Sequence, residues 1–198
     1  REYTMLEKYD YNKYKNILKE RLTPKRYNHS LCVADEARRL AVKYGCDSEK
    51  AYLCGLLHDI TKNATAEEHL NIFNNFGIML NDVEKNAEKL WHAISGAAYI
   101  QHILGINDSE VITAVRYHTT ARAGMSLLEK ILYLADFTSA DRDYDDVEIM
   151  RQKVDISIET AMNYALSYTI KDLVEIEKPL HLDTVMAYNE NTLKGSLN

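Results

Sequence analysis

Gly55-Leu56-Leu57-His58-Asp59-Ile60-Thr61-Lys62 places an apolar side and a polar side on one short segment. At about 100° per residue on a helix, Leu53, Leu56, Leu57 and Ile60 gather on one side, with His58, Asp59 and Lys62 on the other. The polar side runs back through Ala51 and Gly55, so small residues rather than solvated charges lead to the His-Asp pair, which therefore looks inward. A buried carboxylate beside a histidine is costly unless something positive compensates it, and a metal ion is a common strong compensation. For an isolated pair, an ordinary buried His-Asp hydrogen bond is the reading to prefer.

Working outward, Asp47 or Ser48 caps the His58 helix, while Thr23-Pro24 starts the helix before it and Gly45 stops that one. There Arg26, His29, Val33, Ala37, Leu40 and Tyr44 follow steps of three and four, so Arg26 and His29 share a face that meets a neighbour. Residues 5–22 read as an amphipathic helix through Leu6, Tyr9, Tyr14, Ile17, Leu18 and Leu22. Thr65-Ala66-Glu67-Glu68 has capping-box spacing for a helix that ends near Gly77 and leaves His69 in solvent. A helix over 82–104, in one piece or two, turns His92 inward with Gly96, Tyr99 and Ile103, and leaves His102 structural. Asp108 caps a helix carrying Val111, Val115 and His118, and Ser126-Leu127-Leu128-Glu129 opens a nearly all-apolar helix ending in a second buried acid, Asp136. The acidic loop over 139–146 is solvated apart from Arg142, and helices over 155–177 and 182–193 flank Pro179.

With 7 Gly and 2 Pro in 198 residues, the chain lacks the punctuation of a many-stranded sheet, and it is long enough for one sizeable core. We expect an all-α, single-domain protein. A net charge of -6 argues against broad binding to nucleic acid and leaves room for a small polyanion held by local cations. No run of 18 apolar residues exists and the start Arg1-Glu2-Tyr3-Thr4 is polar, so neither a membrane span nor a secretory signal is expected. Cys32, Cys46 and Cys54, odd in number and without CxxC spacing, read as reduced, intracellular and structural.

His29, His58-Asp59, His92, His118 and Asp136 each stand on, or at the end of, a separate predicted helix. Four imidazoles and two carboxylates in one helical core are hard to satisfy by mutual hydrogen bonds. They suit one or two divalent transition metals, Fe, Mn, Co or Zn rather than Ca or Mg. No thiolate joins the set, which argues against a closed structural zinc site. The ordered pattern H…HD…H…H…D resembles the HD-domain metal-dependent phosphohydrolases. Arg26-Tyr27-Asn28-His29-Ser30, the Gly55–Lys62 stretch, Trp91-His92-Ala93, Arg116-Tyr117-His118-Thr119-Thr120, Gly124-Met125-Ser126 and Leu134-Ala135-Asp136 are similar to the bacterial YqeK family, a likeness running from about Leu22 to Asn189.

The resemblance implies an HD-type helical bundle over 22–198, preceded by an N-terminal helix over 1–21 that is packed on it or partly disordered. It implies a cytoplasmic hydrolase that splits diadenosine tetraphosphate symmetrically into two ADP through a metal-activated hydroxide. Carried over by position, His29, His58, Asp59 and Asp136 hold a tightly bound metal, iron being the first expectation. The site is mono- or binuclear, and a second metal would take Asp59, His92 and His118. Asp59, Lys62, His92 and His118 form the expected catalytic set; Arg26, Lys62, His92, His118, Thr119 and Arg142 form the expected substrate-binding set. No nucleic acid or membrane partner is implied, and a homodimer is compatible with the sequence. Ser139 stands where a Glu is usual, and Ala121 and Ala123 where Gly and Pro are usual, which bears on substrate placement and loop geometry. Other readings stay open: an HD phosphohydrolase acting on another nucleotide, a metal-bound nucleotide sensor without turnover, or a helical scaffold whose histidines are core residues.

Overall fold

Thr23 accepts a hydrogen bond from the Arg26 amide, Pro24 fills the first turn, and Gly45 ends the helix at φ 75°, so α2 (Pro24–Tyr44) has the boundaries its sequence signals. This computed structural model describes residues 9–195. Before α2 lies α1 (Tyr11–Arg21), and after it come α3 (Ser48–Leu57), α4 (Ala66–Asn75), the short α5 (Asp82–Lys85), α6 (Trp91–Ala98), α7 (Ser109–Tyr117), α8 (Leu127–Thr138), α9 (Val147–Ile156), α10 (Ile158–Glu175) and α11 (Leu182–Gly195). No strand occurs among the described residues, so the protein is an all-α, single-domain fold.

α3 is the central element. It packs most extensively on α2, while α1, α7 and α8 cover its other sides. Every residue from Ala51 to Thr61 is buried, so the two-sided pattern of the opening stretch separates apolar packing from buried chemistry, not core from solvent. Gly55 makes the closeness of α2 possible: a Cβ there would lie 2.6 Å from the Ala34 Cα and 2.8 Å from the Val33 carbonyl oxygen. α1 joins the same core through Tyr11, Tyr14 and the fully buried Leu18. The expected helix over 5–22 is thus present from Tyr11, and Leu6 lies outside the described residues.

Two expectations change. The helix over 82–104 is broken into α5, a 3-10 turn (Glu88–Leu90), α6 and a π turn (Tyr99–Ile103). The break has a local cause, because the Trp91 indole N–H donates to the Glu84 carbonyl at 2.7 Å and the Asn86 side-chain Nδ2 to the Asp82 carbonyl at 2.8 Å, closing α5 after one turn. On the π turn, Ile103 is exposed rather than inward. The helix over 155–177 is divided at Ser157, whose extended backbone (φ -162°) ends α9 and whose hydroxyl caps α10 at Thr160. Val147, Met150 and Val154, the buried face of α9, have the three-and-four spacing that could have revealed it. Among the described residues, no helix is long and apolar enough to cross a membrane.

Candidate metal and substrate site

α3 stops at Leu57, and the chain continues in turns, with the Ile60 amide donating to the Leu57 carbonyl at 3.1 Å and the Lys62 amide to the Asp59 carbonyl at 2.8 Å. The His58-Asp59 pair therefore sits just past a helix end, not along one, and a turn rather than a helical step brings Lys62 beside it. Into this point converge His29 from α2, His92 from α6, His118 at the end of α7, and Asp136 from α8.

Three imidazoles share one arrangement. His58 Nδ1 lies 2.7 Å from the Gly55 carbonyl, His118 Nδ1 2.7 Å from the Val115 carbonyl, and His29 Nδ1 2.8 Å from Asp141 Oδ2. A carbonyl can only accept, so Nδ1 carries the proton in His58 and His118, leaving each Nε2 with a lone pair. His58 Nε2 is buried and makes no hydrogen bond, with Asp59 Oδ2 at 3.4 Å and Asp136 Oδ1 at 3.9 Å. An orphaned buried lone pair between two carboxylates is where a cation fits, and backbone carbonyls on the far nitrogens are the usual way of orienting metal-binding histidines.

Asp59 is the hinge of the cluster. Its Oδ2 takes a hydrogen bond from the Arg26 guanidinium at 2.9 Å and faces His58 and His29, the latter at 4.0 Å. Its Oδ1 faces His92 Nε2 at 3.1 Å and His118 Nε2 at 3.7 Å. Three overlapping groups have donor atoms close enough to share an ion: His29, His58 and Asp59; His58, His118 and Asp136; and Asp59, His92 and His118. A divalent metal therefore fits the residues present.

Burial alone would raise the Asp59 carboxyl, but His58 beside it, with His118 and His92 around it, holds it well below the usual carboxylate range. Asp136 is held down in the same way by His29 and Arg142 against its burial. His92 is pushed down to about 4, chiefly by burial, so it is neutral near pH 7. Burial also lowers the Lys62 ammonium, whose Nζ lies 3.1 Å from His92 Nε2.

Several positions differ from the sequence reading. Asp136 is not fully buried; its side chain is 20% exposed at the mouth of the site. Arg142, expected among the substrate-binding residues, has its guanidinium hydrogen-bonded to the Asp136 carboxylate, and its Nε donates to the Asp136 carbonyl at 2.6 Å. The loop over 139–146 is not simply solvated: Ser139 is buried, its hydroxyl donates to Asp141 at 2.8 Å, and Asp141 in turn holds His29. His69 is buried, not in solvent, with Nδ1 2.8 Å from the Ser95 hydroxyl, which pairs with Thr61, whose own hydroxyl bonds the His92 carbonyl at 2.9 Å. The one usable signal was the apolar pair Ile72 and Phe73 one turn further on, which puts His69 on the buried face of α4. Thr119 follows His118 and has a buried hydroxyl without a partner. Ala121 takes φ 57°, the left-handed region a glycine enters freely.

Residues 26–141 match the HD domain family. The chain is 34% identical over 172 residues to the symmetrical bis(5'-nucleosyl)-tetraphosphatase of Bacillus subtilis, covering 87% of this chain and 92% of that one. It is 38% identical over 139 residues to the protein of the same name from Staphylococcus aureus, covering 70% and 71%. A crystal structure from Clostridium acetobutylicum, described as a predicted HD superfamily hydrolase involved in NAD metabolism, superposes with a TM-score of 0.90 at 36% identity, covering 94% of this chain and 98% of that one. With its six converging ligand-type residues inside the matched span, this chain belongs to the HD-domain family, in the group of the symmetrical bis(5'-nucleosyl)-tetraphosphatases.

Proposed function

We propose that the protein is a metal-dependent hydrolase that cleaves diadenosine tetraphosphate symmetrically into two ADP. The observation that carries the reading is the buried, unpartnered His58 Nε2 between Asp59 and Asp136, in a chain whose relatives are named for this reaction. His29, His58, Asp59 and Asp136 would hold the first metal, and Asp59, His92 and His118 a second; the split between the two Asp59 oxygens supports a shared ligand. Iron is our first choice from Fe, Mn, Co and Zn for a set of imidazoles and carboxylates without thiolate. A bound metal supplies an activated water and a Lewis acid for phosphate oxygens.

The remaining work belongs to the chain. Arg26 and Arg142 hold Asp59 and Asp136 ionised and in place, so each carboxylate keeps its geometry before substrate arrives. Lys62, with His92 beneath it, offers its ammonium to the phosphate oxygens on which charge grows as the bond breaks. His92, neutral near pH 7, enters with a lone pair free for a ligand bond. Thr119 adds a hydroxyl donor next to His118. We take 22–198 as the catalytic unit, with α1 sealed onto it by Leu18, and the cytoplasm as its compartment, in keeping with three free cysteines.

The test is metal analysis of protein purified without oxygen, followed by incubation with diadenosine tetraphosphate and separation of products. ADP alone is expected. ATP with AMP would contradict symmetrical cleavage, and tight ADP binding without turnover would point to a sensor.

A further inference from the structure

Beside the metal cluster a cavity of about 510 Å³ opens between the Glu88–Leu90 turn and the connection from α10 to α11. Leu90, Leu173, Ile176 and Pro179 make its walls largely aliphatic, and its volume suits a small molecule. Among the described residues of its lining, one buried hydroxyl has no partner. Thr120 donates to the Ala121 carbonyl at 2.9 Å, Thr184 to the Thr120 carbonyl at 2.7 Å, and Thr169 pairs with the Tyr133 hydroxyl at 3.4 Å. Thr119, on the same wall, keeps a buried hydroxyl with no partner.

Two routes join this cavity to the reacting centre. Thr119 is the chain neighbour of His118. Glu88 and Lys89 line both the cavity and a smaller pocket of about 270 Å³ that contains Lys62 and His92. At the rim Glu88 and Asp172 offset Lys89 and Lys178, so the aliphatic interior has no surplus of cations to hold a polyphosphate. A purine nucleoside does, because it brings two flat apolar faces and a polar edge.

We propose that this cavity binds the nucleoside end of the dinucleotide. The base lies against Leu173 and Ile176, the Thr119 hydroxyl meets a polar atom of the nucleoside, and Lys89 sits where the chain of phosphates leaves for Lys62. The assignment of a nucleotide ligand rests on the proposed function.

Calorimetry on metal-loaded protein, titrated with ADP and separately with inorganic pyrophosphate, tests it. Leu173→Trp fills the cavity and is expected to weaken ADP binding by about tenfold or more while leaving pyrophosphate within about twofold. Thr119→Val, nearly the same shape, is expected to weaken ADP by about threefold to tenfold. If Leu173→Trp fails to fold, as judged by circular dichroism, Ile176→Trp on the exposed wall replaces it with the same expectation. Unchanged ADP affinity in the filled variant, equal loss of ADP and pyrophosphate, or no ADP binding by the wild-type protein would overturn the proposal. Binding needs no turnover, so a protein that binds ADP here yet does not cleave the tetraphosphate refutes the proposed reaction and leaves the cavity assignment standing.

Discussion

Gly55→Ala should damage both fold and site, because the added methyl meets backbone rather than a side chain that can swing away. Its Cβ would lie 2.6 Å from the Ala34 Cα, 2.8 Å from the Ala34 nitrogen and 2.8 Å from the Val33 oxygen, where ordinary contact begins at 3.4 Å. Relief requires α2 and α3 to separate locally by roughly 0.8 Å, the difference between those distances. Overpacking of this kind costs about 3 kcal/mol, offset by about 1 kcal/mol of gained helix propensity. The net loss of about 2 kcal/mol corresponds to a fall in Tm of roughly 4–8 °C for a chain of this length. The same separation moves His29 and Arg26, on α2, away from His58 and Asp59, so kcat should fall by roughly tenfold to a hundredfold. Gly96→Ala is the internal control: its Cβ would meet only the Thr61 hydroxyl at 3.4 Å, with other neighbours at 3.7 Å, so Tm should stay within about 2 °C. Thermal melting followed by circular dichroism, with product-release rates, decides the matter. A Gly55→Ala protein that melts and turns over like wild type, or a Gly96→Ala protein that suffers as much, would refute the close-packing argument.

Chelation of the purified protein should lower Tm, by roughly 5–10 °C for a metal present at about a hundred times its Kd, since ligands from separate helices lose their common tie. Asp59→Asn should show little further change on chelation and no cleavage; a chelator-sensitive, active variant would contradict the shared-ligand role. Asp141→Ala removes the acceptor that orients His29, so metal affinity should drop about tenfold to a hundredfold while the metal-free Tm barely moves. Competition with a chromogenic chelator measures it, and unchanged affinity would count against that role. Glu84 provides the pH test away from the cluster: burial would raise its carboxyl, but the Asn81 amide, Arg116 and His181 hold it below the usual value. Its folded-state value being depressed, its contribution is present above the ordinary glutamate range and is lost as pH falls through the folded value. Glu84→Gln should cost about 1–3 kcal/mol at neutral pH and flatten the acid limb of the stability curve; an unaltered limb would show that other carboxylates dominate it.

The sequence by itself determined the helices whose boundaries are written locally and the set of residues that meet. Thr23, Asp47, Thr65, Asp108 and Ser126 each cap the helix they precede through bonds spanning two or three residues, so no distant contact was needed to foresee them. His29 and His92 followed from helical periodicity, which is likewise written within one segment. Tertiary packing decided the rest. His29 is oriented by Asp141 across 112 residues of chain, and His69 is buried by Ser95 and Trp91 from a different helix. Which Asp59 oxygen faces which imidazoles, and that His58 Nε2 has no partner, depends on how closely α2 approaches α3 at Gly55. Backbone capping bonds reach only a turn, so they leave a mark in consecutive residues. The arrangement of the donors is instead fixed by contacts between segments that meet only when several helices have packed, and the composition of any one segment does not encode that arrangement.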